Sequence, residues 1–553
     1  MSKRSAFALL ALLVVATMAV AVVRPGAPAA VEYPRLAAPA LEGATTDADA
    51  DAVALVDGPL TDTISGPSVG KPVEAISFDG DVRSLPQVGP EEKAPAREMG
   101  SPPDPGGLGD GKDPVIQGAG GDAAAPAPLA SFAGLDLQNW GGGWPPDTHG
   151  DVGPNHYIQA VNTSIGIFDK ATGARLAAFT FNNFFPAGTT CDTINYGDPI
   201  VLYDQVSGRW IITDFGFASP SSPPYYECIA VSKTADPVGG GWWLYGFLAD
   251  STSMNDYPKL GVWSDGIYMS ANMFKRGRTY SGAKVWALNR NDLISGAALR
   301  SVAFTLGTSY FSLLPSTFKG SAPPAGTPNY FLSDYGSTTS MKLWKFTVNW
   351  TTPSASTFTG PTSFSVASFT KPSSSVPQKS SSETLDTLGD RLMTWLWYRN
   401  VGGTQSLWVS RTAVAGSSTG IRWYEIRNMS ATPSVYQQGT YAPDSSYRWM
   451  PSLAVDKFGN MAVGYSVSSS TMFPAIRYAG RLVGDALGTL GQTETSLIEG
   501  TGSQSGGYNR WGDYSSMSVD PGDDCTFWMT TEYYVSTGNN WQTRIGAFKF
   551  PGC

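Results

Sequence analysis

The pattern of apolar and polar positions changes near residue 129. From there to the C-terminus, aromatic and β-branched runs of roughly five to eight residues alternate with turns of Gly, Pro, Asn, Asp and Ser. Short apolar runs bounded by turn residues read as strands, and no long stretch repeats with the 3.6-residue period of a helix. Strands are predicted at 157–161, 210–214, 267–271, 330–333, 393–398, 461–466 and 526–533, with further ones at 165–168, 284–288, 342–348 and 407–411. The body is read as all-β.

These strands recur in a loose unit: a Gly/Asp/Tyr/Pro stretch, a short strand, a turn with Asp or Gly, and a second strand. Asp198 and Pro199 lead through Asp204 to Trp210, and Asp256, Tyr257 and Pro258 lead through Asp265 and Gly266 to Ile267. Arg448, Trp449, Met450 and Pro451 lead through Asp456 and Gly459 to Met461. Arg510, Trp511, Gly512, Asp513 and Tyr514 lead through Asp520 and Asp524 to Phe527. Weaker copies start at Asp147, near Pro328, and at Gly389, Asp390 and Arg391. Seven units spaced by about 50–70 residues fill 129–553, which predicts a β-propeller of seven four-stranded blades. Six or eight blades are the alternative counts, and a pair of β-sandwiches is the alternative architecture. The last unit offers strands at 515–519, 526–533 and 543–550. A fourth from 130–137 would tie the two ends together and leave no open sheet edge.

The first 128 residues follow another pattern. Lys3 and Arg4 precede an apolar run over 5–23, and Ala19, Val20 and Ala21 offer a small-residue cleavage site, so 1–23 reads as a signal peptide. An uncleaved N-terminal anchor is the alternative. Residues 24–128 are rich in Ala, Pro and Gly, acidic and nearly free of aromatics. They are expected to be a disordered tether or pro-segment with at most a local strand near 73–78, because they cannot bury enough apolar surface to offset their ordering entropy. Charge sharpens this division. Residues 30–130 hold 17 acidic and 6 basic side chains, while 131–553 hold 29 and 28, so the overall −9 belongs to the leader and the body is nearly neutral. No basic face is left for nucleic acid. Membrane contact is expected only through an uncleaved N-terminal segment.

The chain has two His, His149 and His156, and four Cys. That is too little for a tetrahedral zinc site, and no Gly-x-Ser-x-Gly elbow with a downstream His occurs. Four Cys in an exported chain suggest two disulfides, for which the local pairs Cys191–Cys228 and Cys525–Cys553 are expected among three connectivities.

The Asp/Gly turns between short strands resemble those of the Asp-box propellers, the superfamily that includes sialidases, although the turn at Asp456 and Gly459 has a wider gap than the usual box and lacks its Ser and Trp. The segments from Pro146 to Pro154 and from Arg510 to Tyr514 are more similar to large secreted bacterial propellers without an assigned activity, a likeness that implies fold and an extracellular or cell-surface location. In such a fold the first strand of each blade lines the channel. Asp198, Asp256, Asp390, Arg391, Arg448, Arg510 and Asp513, with Trp449, Trp511 and Tyr514, would then converge at one mouth. Arg recognises carboxylate through a bidentate fork, so this set suits an anionic or sugar-like ligand. Sialidases add a Tyr/Glu nucleophile pair, for which Glu532, Tyr533 and Tyr534 are the candidates. The sialidase motif that supplies the first Arg is absent. Ion pairing between neighbouring blades is the competing account of the same Arg and Asp residues. Asp147, Asp151, Asp523 and Asp524 are candidate Ca²⁺ ligands, and apart from such structural Ca²⁺ no cofactor is expected. The sequence thus points to a binding or interaction module for a glycan or an extracellular protein. A sialidase-like glycoside hydrolase and a structural subunit of an extracellular layer or filament are the alternatives.

Overall fold

A computed structural model describes residues 54–56, 58–87, 102, 104–119, 121, 123–140, 143–192, 195–373, 375–507 and 509–553. The predicted signal peptide over 1–23 lies outside them.

Among the described residues of the body, the strands follow one another in seven antiparallel runs of four, the last completed by a strand from upstream. The first strands of these runs are His149–Val152, Ile200–Asp204, Ser253–Val262, Leu314–Phe318, Met393–Val401, Tyr447–Val455 and Ser516–Val519. The fourth and fifth runs share one nine-stranded sheet, because Ser316, Thr317 and Phe318 pair in parallel with Leu396, Trp397 and Tyr398. Each first strand packs beside the next in chain order, and Ser516–Val519 packs beside His149–Val152. Side chains bridge most of these seams. The Val201 N–H donates to His149 Nδ1 (3.1 Å), Val262 N–H to Thr317 Oγ1 (3.1 Å) and Met517 N–H to Ser452 Oγ (2.9 Å), while Ser516 Oγ donates to the Gly150 carbonyl (2.6 Å). Between sheets the core is built from alternate inward residues such as Ile158, Ile211, Met269, Leu332, Val409 and Val463. Each fully buried aliphatic side chain contributes on the order of 1.5–3 kcal/mol.

All the strands predicted at 157–161, 210–214, 267–271, 330–333, 393–398, 461–466 and 526–533 fall in or almost wholly within observed strands. The last unit also takes its fourth strand from upstream: Ala130–Asp136 pairs antiparallel with Gln542–Phe548. The fourth unit differs from expectation. Its first strand is Leu314–Phe318 rather than a segment after Pro328, and Asn329–Ser333 is its second strand. Leu314–Phe318 is introduced by Leu313 and Ser312 in place of the Asp/Gly lead that marks the neighbouring third and fifth units, which hides it.

The described part of the leader forms the local strand expected near 73–78, at Ile76–Phe78, and otherwise departs further from its reading as a disordered tether. Ile64–Val69 pairs with Ser301–Leu306 of the third unit, and Ile76–Phe78 with Trp242–Asp250 of the second. Gln87 bridges Phe179 of the first. Ile116–Gln117 then joins Ser434–Tyr441 of the fifth unit, and Ala123–Ala124 joins Gln492–Ile498 of the sixth. These segments need no core of their own, because their backbone groups bond to the open edge of a sheet that is already formed. Their small residues permit the approach: a Cβ on Gly121 would lie 2.0 Å from the Gly491 carbonyl oxygen.

Both expected disulfides are present, Cys191–Cys228 and Cys525–Cys553. The first ties the connection between the first and second units to strand Tyr225–Ser232, and the second ties the C-terminal residue to the turn before Phe527–Tyr533. Such bonds suit an oxidising compartment. No helix among the described residues is long and apolar enough to cross a membrane.

Candidate functional site

A repeated backbone turn builds the site. Asp147, Asp198, Tyr257, Ser312, Met450 and Asp513 hold left-handed φ angles of 51, 51, 53, 50, 50 and 60°, each just ahead of the regular part of a first strand. Non-glycine residues in this region cost about 1–3 kcal/mol each and persist only where neighbours over-determine them. Asn162 does so for the first two units. Its Nδ2 donates to the Pro145 carbonyl (2.7 Å), and its Oδ1 accepts from Asp198 N–H (3.1 Å). A Cβ on Gly197 would lie 2.0 Å from that same Oδ1, so only glycine fits before Asp198. Asp198 Oδ2 in turn accepts from Tyr257 N–H (2.9 Å), locking the third unit to the second. In the seventh unit Gly512 N–H donates to Glu532 Oε2 (2.7 Å), and Arg510 pairs with Asp513.

These turns bring charge from four units together. Asp147, Asp198, Asp256 and Asp513 interact electrostatically with one another, with Arg391 and Arg510 set against them. Burial, reinforced by Asp513 and by Asp198, which also hydrogen-bonds it, raises the Asp147 carboxyl well above the usual range. Burial and then Asp198 push Asp256 up to about 8, against the pull of Arg391 and Arg510. Asp513 is pushed up to about 6, chiefly by burial, with Arg510 opposing. Lys259 is fully enclosed: its Nζ lies 3.4 Å from the centre of the Tyr257 ring and 4.1 Å from that of Tyr514, and it donates to the Pro258 carbonyl (3.0 Å). Burial lowers its ammonium to about 8 despite the nearby carboxylates. The Arg391 guanidinium lies 4.6 Å from the Tyr257 ring centre and bonds Asp390 (2.8 Å). Asp198, Asp256, Asp390 and Arg510 are half-buried, so solvent reaches the cluster on their side.

Beneath the cluster the centre is filled. The His149 ring lies 4.7 Å from Trp395 and 5.8 Å from Tyr514, and Trp395 Nε1 donates to Ser516 Oγ (3.2 Å). Further along the first strands Lys319 of the fourth unit meets Asp151 of the first (2.9 Å) and donates to the Tyr203 carbonyl (3.0 Å), with both charged side chains buried. The charged cluster thus lies against packed aromatics, and four of its polar atoms are buried without a hydrogen-bond partner: Asp147 Oδ1, Asp513 Oδ1, Tyr257 OH and Tyr514 OH.

Of the residues singled out by sequence, Asp198, Asp256, Asp390, Arg391, Arg510, Asp513 and Tyr514 meet here, with Asp147 among them. Arg448 does not. Its guanidinium is buried between Glu494 (2.9 Å) and Asp444 (2.9 Å), away from the cluster, and Arg477 bonds the same Glu494 (2.7 Å). Trp449 and Trp511 are fully buried and packed together, 5.6 Å between ring centres, so they offer no exposed platform. Glu532 and Tyr534 pair with each other behind Gly512, and Tyr533, one residue out of phase, turns to the other face beside Arg544. Asp151 is occupied by Lys319 and Tyr203 N–H. Asp523 caps its own turn through Cys525 and Thr526, and Asp524 pairs with Arg399 (2.9 Å). Lys259 is not marked by the repeat, and Tyr257, which the repeat contains, is not among the residues expected at the site. Their signal is a charged or aromatic residue inside an otherwise apolar first strand.

No family model matches the chain, and no curated protein does. Among solved structures it is similar to an α-L-arabinanase of Penicillium chrysogenum at 10% identity, covering 67% of this chain and 99% of that one with a TM-score of 0.34. It is also similar to an exo-β-1,3-galactanase of Clostridium thermocellum at 10% identity, covering 62% and 60% with a TM-score of 0.27. An endo-1,5-α-L-arabinanase of Thermotoga petrophila matches at 11% identity, covering 72% and 97% with a TM-score of 0.25.

Proposed function

We propose that the seven four-strand units are the blades of a propeller on an exported or cell-surface protein, and that the charged cluster at the starts of their first strands binds a hydroxyl-rich ligand of carbohydrate class. The contact of first strands in chain order, with the last beside the first, supports the blade reading. The two disulfides support export. One observation carries the ligand class: carboxyls, guanidiniums and tyrosine hydroxyls from separate units meet in one cluster, with unpartnered acceptors and hydroxyls among them. A sugar hydroxyl both donates and accepts. Protonated carboxyls and tyrosines can donate to it, carboxylates accept from it, and Arg391 and Arg510 bridge vicinal oxygens or a sugar carboxylate with forked N–H groups.

A glycoside-cleaving role is the second reading, favoured by Asp256. Its carboxyl keeps a proton near neutral pH beside a second carboxyl, Asp198, and cleavage of a glycosidic bond uses an acid and a second carboxyl in this way. Arg391 and Arg510 supply the anion clamp of a sialidase-type site, while the Glu532–Tyr534 pair sits behind Gly512.

The test is a glycan array probed with the full chain, run beside a panel of chromogenic glycosides. Arg391→Ala is expected to weaken retention of the bound glycan at least tenfold, while Arg448→Ala, whose guanidinium lies elsewhere, leaves it unchanged. Blank arrays and an inert glycoside panel, or equal retention by Arg391→Ala, overturn the reading.

A further inference from the structure

The acidic leader carries more than backbone pairing. Among the described residues it follows the outer edges of the sheets, touching the third, second, first, fourth, fifth and sixth units in turn. At several of these contacts one of its carboxylates meets a cation of the body. Asp113 Oδ1 bonds Arg422 (2.8 Å), and its Oδ2 accepts from Thr440 Oγ1 (2.6 Å); the side chains of Arg422 and Asp113 are 0% and 3% exposed. Asp104 pairs with Lys371, whose side chain is 2% exposed, and accepts from Gly336 N–H (3.1 Å). Asp79 pairs with Lys233 at the surface. Gln117 reads the sixth unit through both halves of its amide, donating to the Leu490 carbonyl (3.0 Å) and accepting from Leu490 N–H (2.8 Å).

We infer that the rim of the body is a docking track for an extended acidic peptide, which in this chain is its own leader. The chemistry of recognition is main-chain pairing to sheet edges together with carboxylates that neutralise the buried Arg422 and Lys371. A buried cation stripped of an acidic partner is costly, so the track discriminates against a neutral strand of the same shape. This accounts for where the chain's acidity lies: the excess charge sits on the segment that meets the cations. It also means that the leader is held by contacts distributed around the body rather than by its covalent join alone, so a cut at the join leaves it bound.

The experiment inserts a site-specific protease sequence between Pro128 and Leu129 of the full chain, where Leu129 is exposed. After cleavage the leader fragment is expected to co-elute with the body in size-exclusion chromatography at 0.15 M salt. An excess of synthetic peptide spanning 54–128 is expected to displace it, and the same peptide with Asp104→Asn and Asp113→Asn to compete at least tenfold more weakly. Immediate separation of the fragments after the cut overturns the docking track. Equal competition by the neutralised peptide overturns the acidic recognition. The outcome is independent of whether the charged cluster binds a glycan.

Discussion

Asp256 shows how much a single side chain in this site depends on its surroundings. Its pKa is raised from 3.8 to about 8 by burial and by Asp198, and Asp513 is raised to about 6. A carboxyl that binds its proton more tightly in the folded than in the unfolded state stabilises the fold fully below its unfolded pKa, and that contribution is lost as pH rises through the folded value. Stability is therefore expected to fall between about pH 4 and pH 8. Lys259, lowered from 10.5 to about 8, works in the opposite sense only above that window. The Asp256→Asn variant removes one titration, so its melting temperature should change less between pH 5 and pH 8 than that of the parent. Parallel melting curves for the two proteins would show that Asp256 does not hold its proton. At this scale the sequence marks Asp198, Asp256 and Asp513 because Gly or Pro beside each signals a turn. It does not mark Tyr257 and Lys259 as partners of Tyr514. A left-handed residue ahead of a strand resets which side chains face inward, and alternation alone does not reveal that reset.

Whole elements divide in the same way. Strands with aromatic or β-branched runs between turn residues are legible, and so is the strand Ala130–Asp136 that completes the seventh sheet. Leu314–Phe318 is obscured because its lead, Ser312, supplies the left-handed turn without the Asp or Gly of its neighbours. The leader strands are obscured for a deeper reason: their composition describes a chain unable to fold alone, whereas their order comes from edges elsewhere in the molecule. The completing strand gives a direct check. A Cβ on Gly134 would lie 2.4 Å from Thr543 Oγ1 and 2.5 Å from Gln159 Oε1, and these atoms belong to a buried network in which Gln159 also bonds Thr530 and accepts from Leu135 N–H. Gly134→Val must push this network apart. The change is expected to cost about 1–3 kcal/mol, the usual range for overpacking, and to lower hydrogen-exchange protection of Gln542–Phe548 before that of the second and third units. Unchanged protection of Gln542–Phe548 would mean that Ala130–Asp136 is not held there in solution.

For the molecule as a whole, the seventh sheet is where distant parts of the chain are joined, since it holds Ala130–Asp136 beside Gln542–Phe548 and carries the Cys525–Cys553 bond. The first strand of each unit packs beside those of two others, so opening one seam frees both. The Cys525–Cys553 bond closes a loop over a separation of 28 residues, which in the chain-entropy account contributes about 3.5 kcal/mol. Cys191–Cys228, with a separation of 37, contributes a similar amount by the same account, but within the second unit. Paired Cys→Ser replacements should therefore lower the unfolding free energy alike while differing in how unfolding proceeds. Loss of Cys525–Cys553 is expected to lower one cooperative transition, with tryptophan fluorescence and far-ultraviolet dichroism still coincident, because the sheet it secures joins the two ends of the body. Loss of Cys191–Cys228 is expected to expose the connection over 181–198 to proteolysis at temperatures where the remaining sheets are intact. If the first variant instead shows an early partial transition that leaves the other six units folded, the units unfold independently and the seventh sheet does not govern stability.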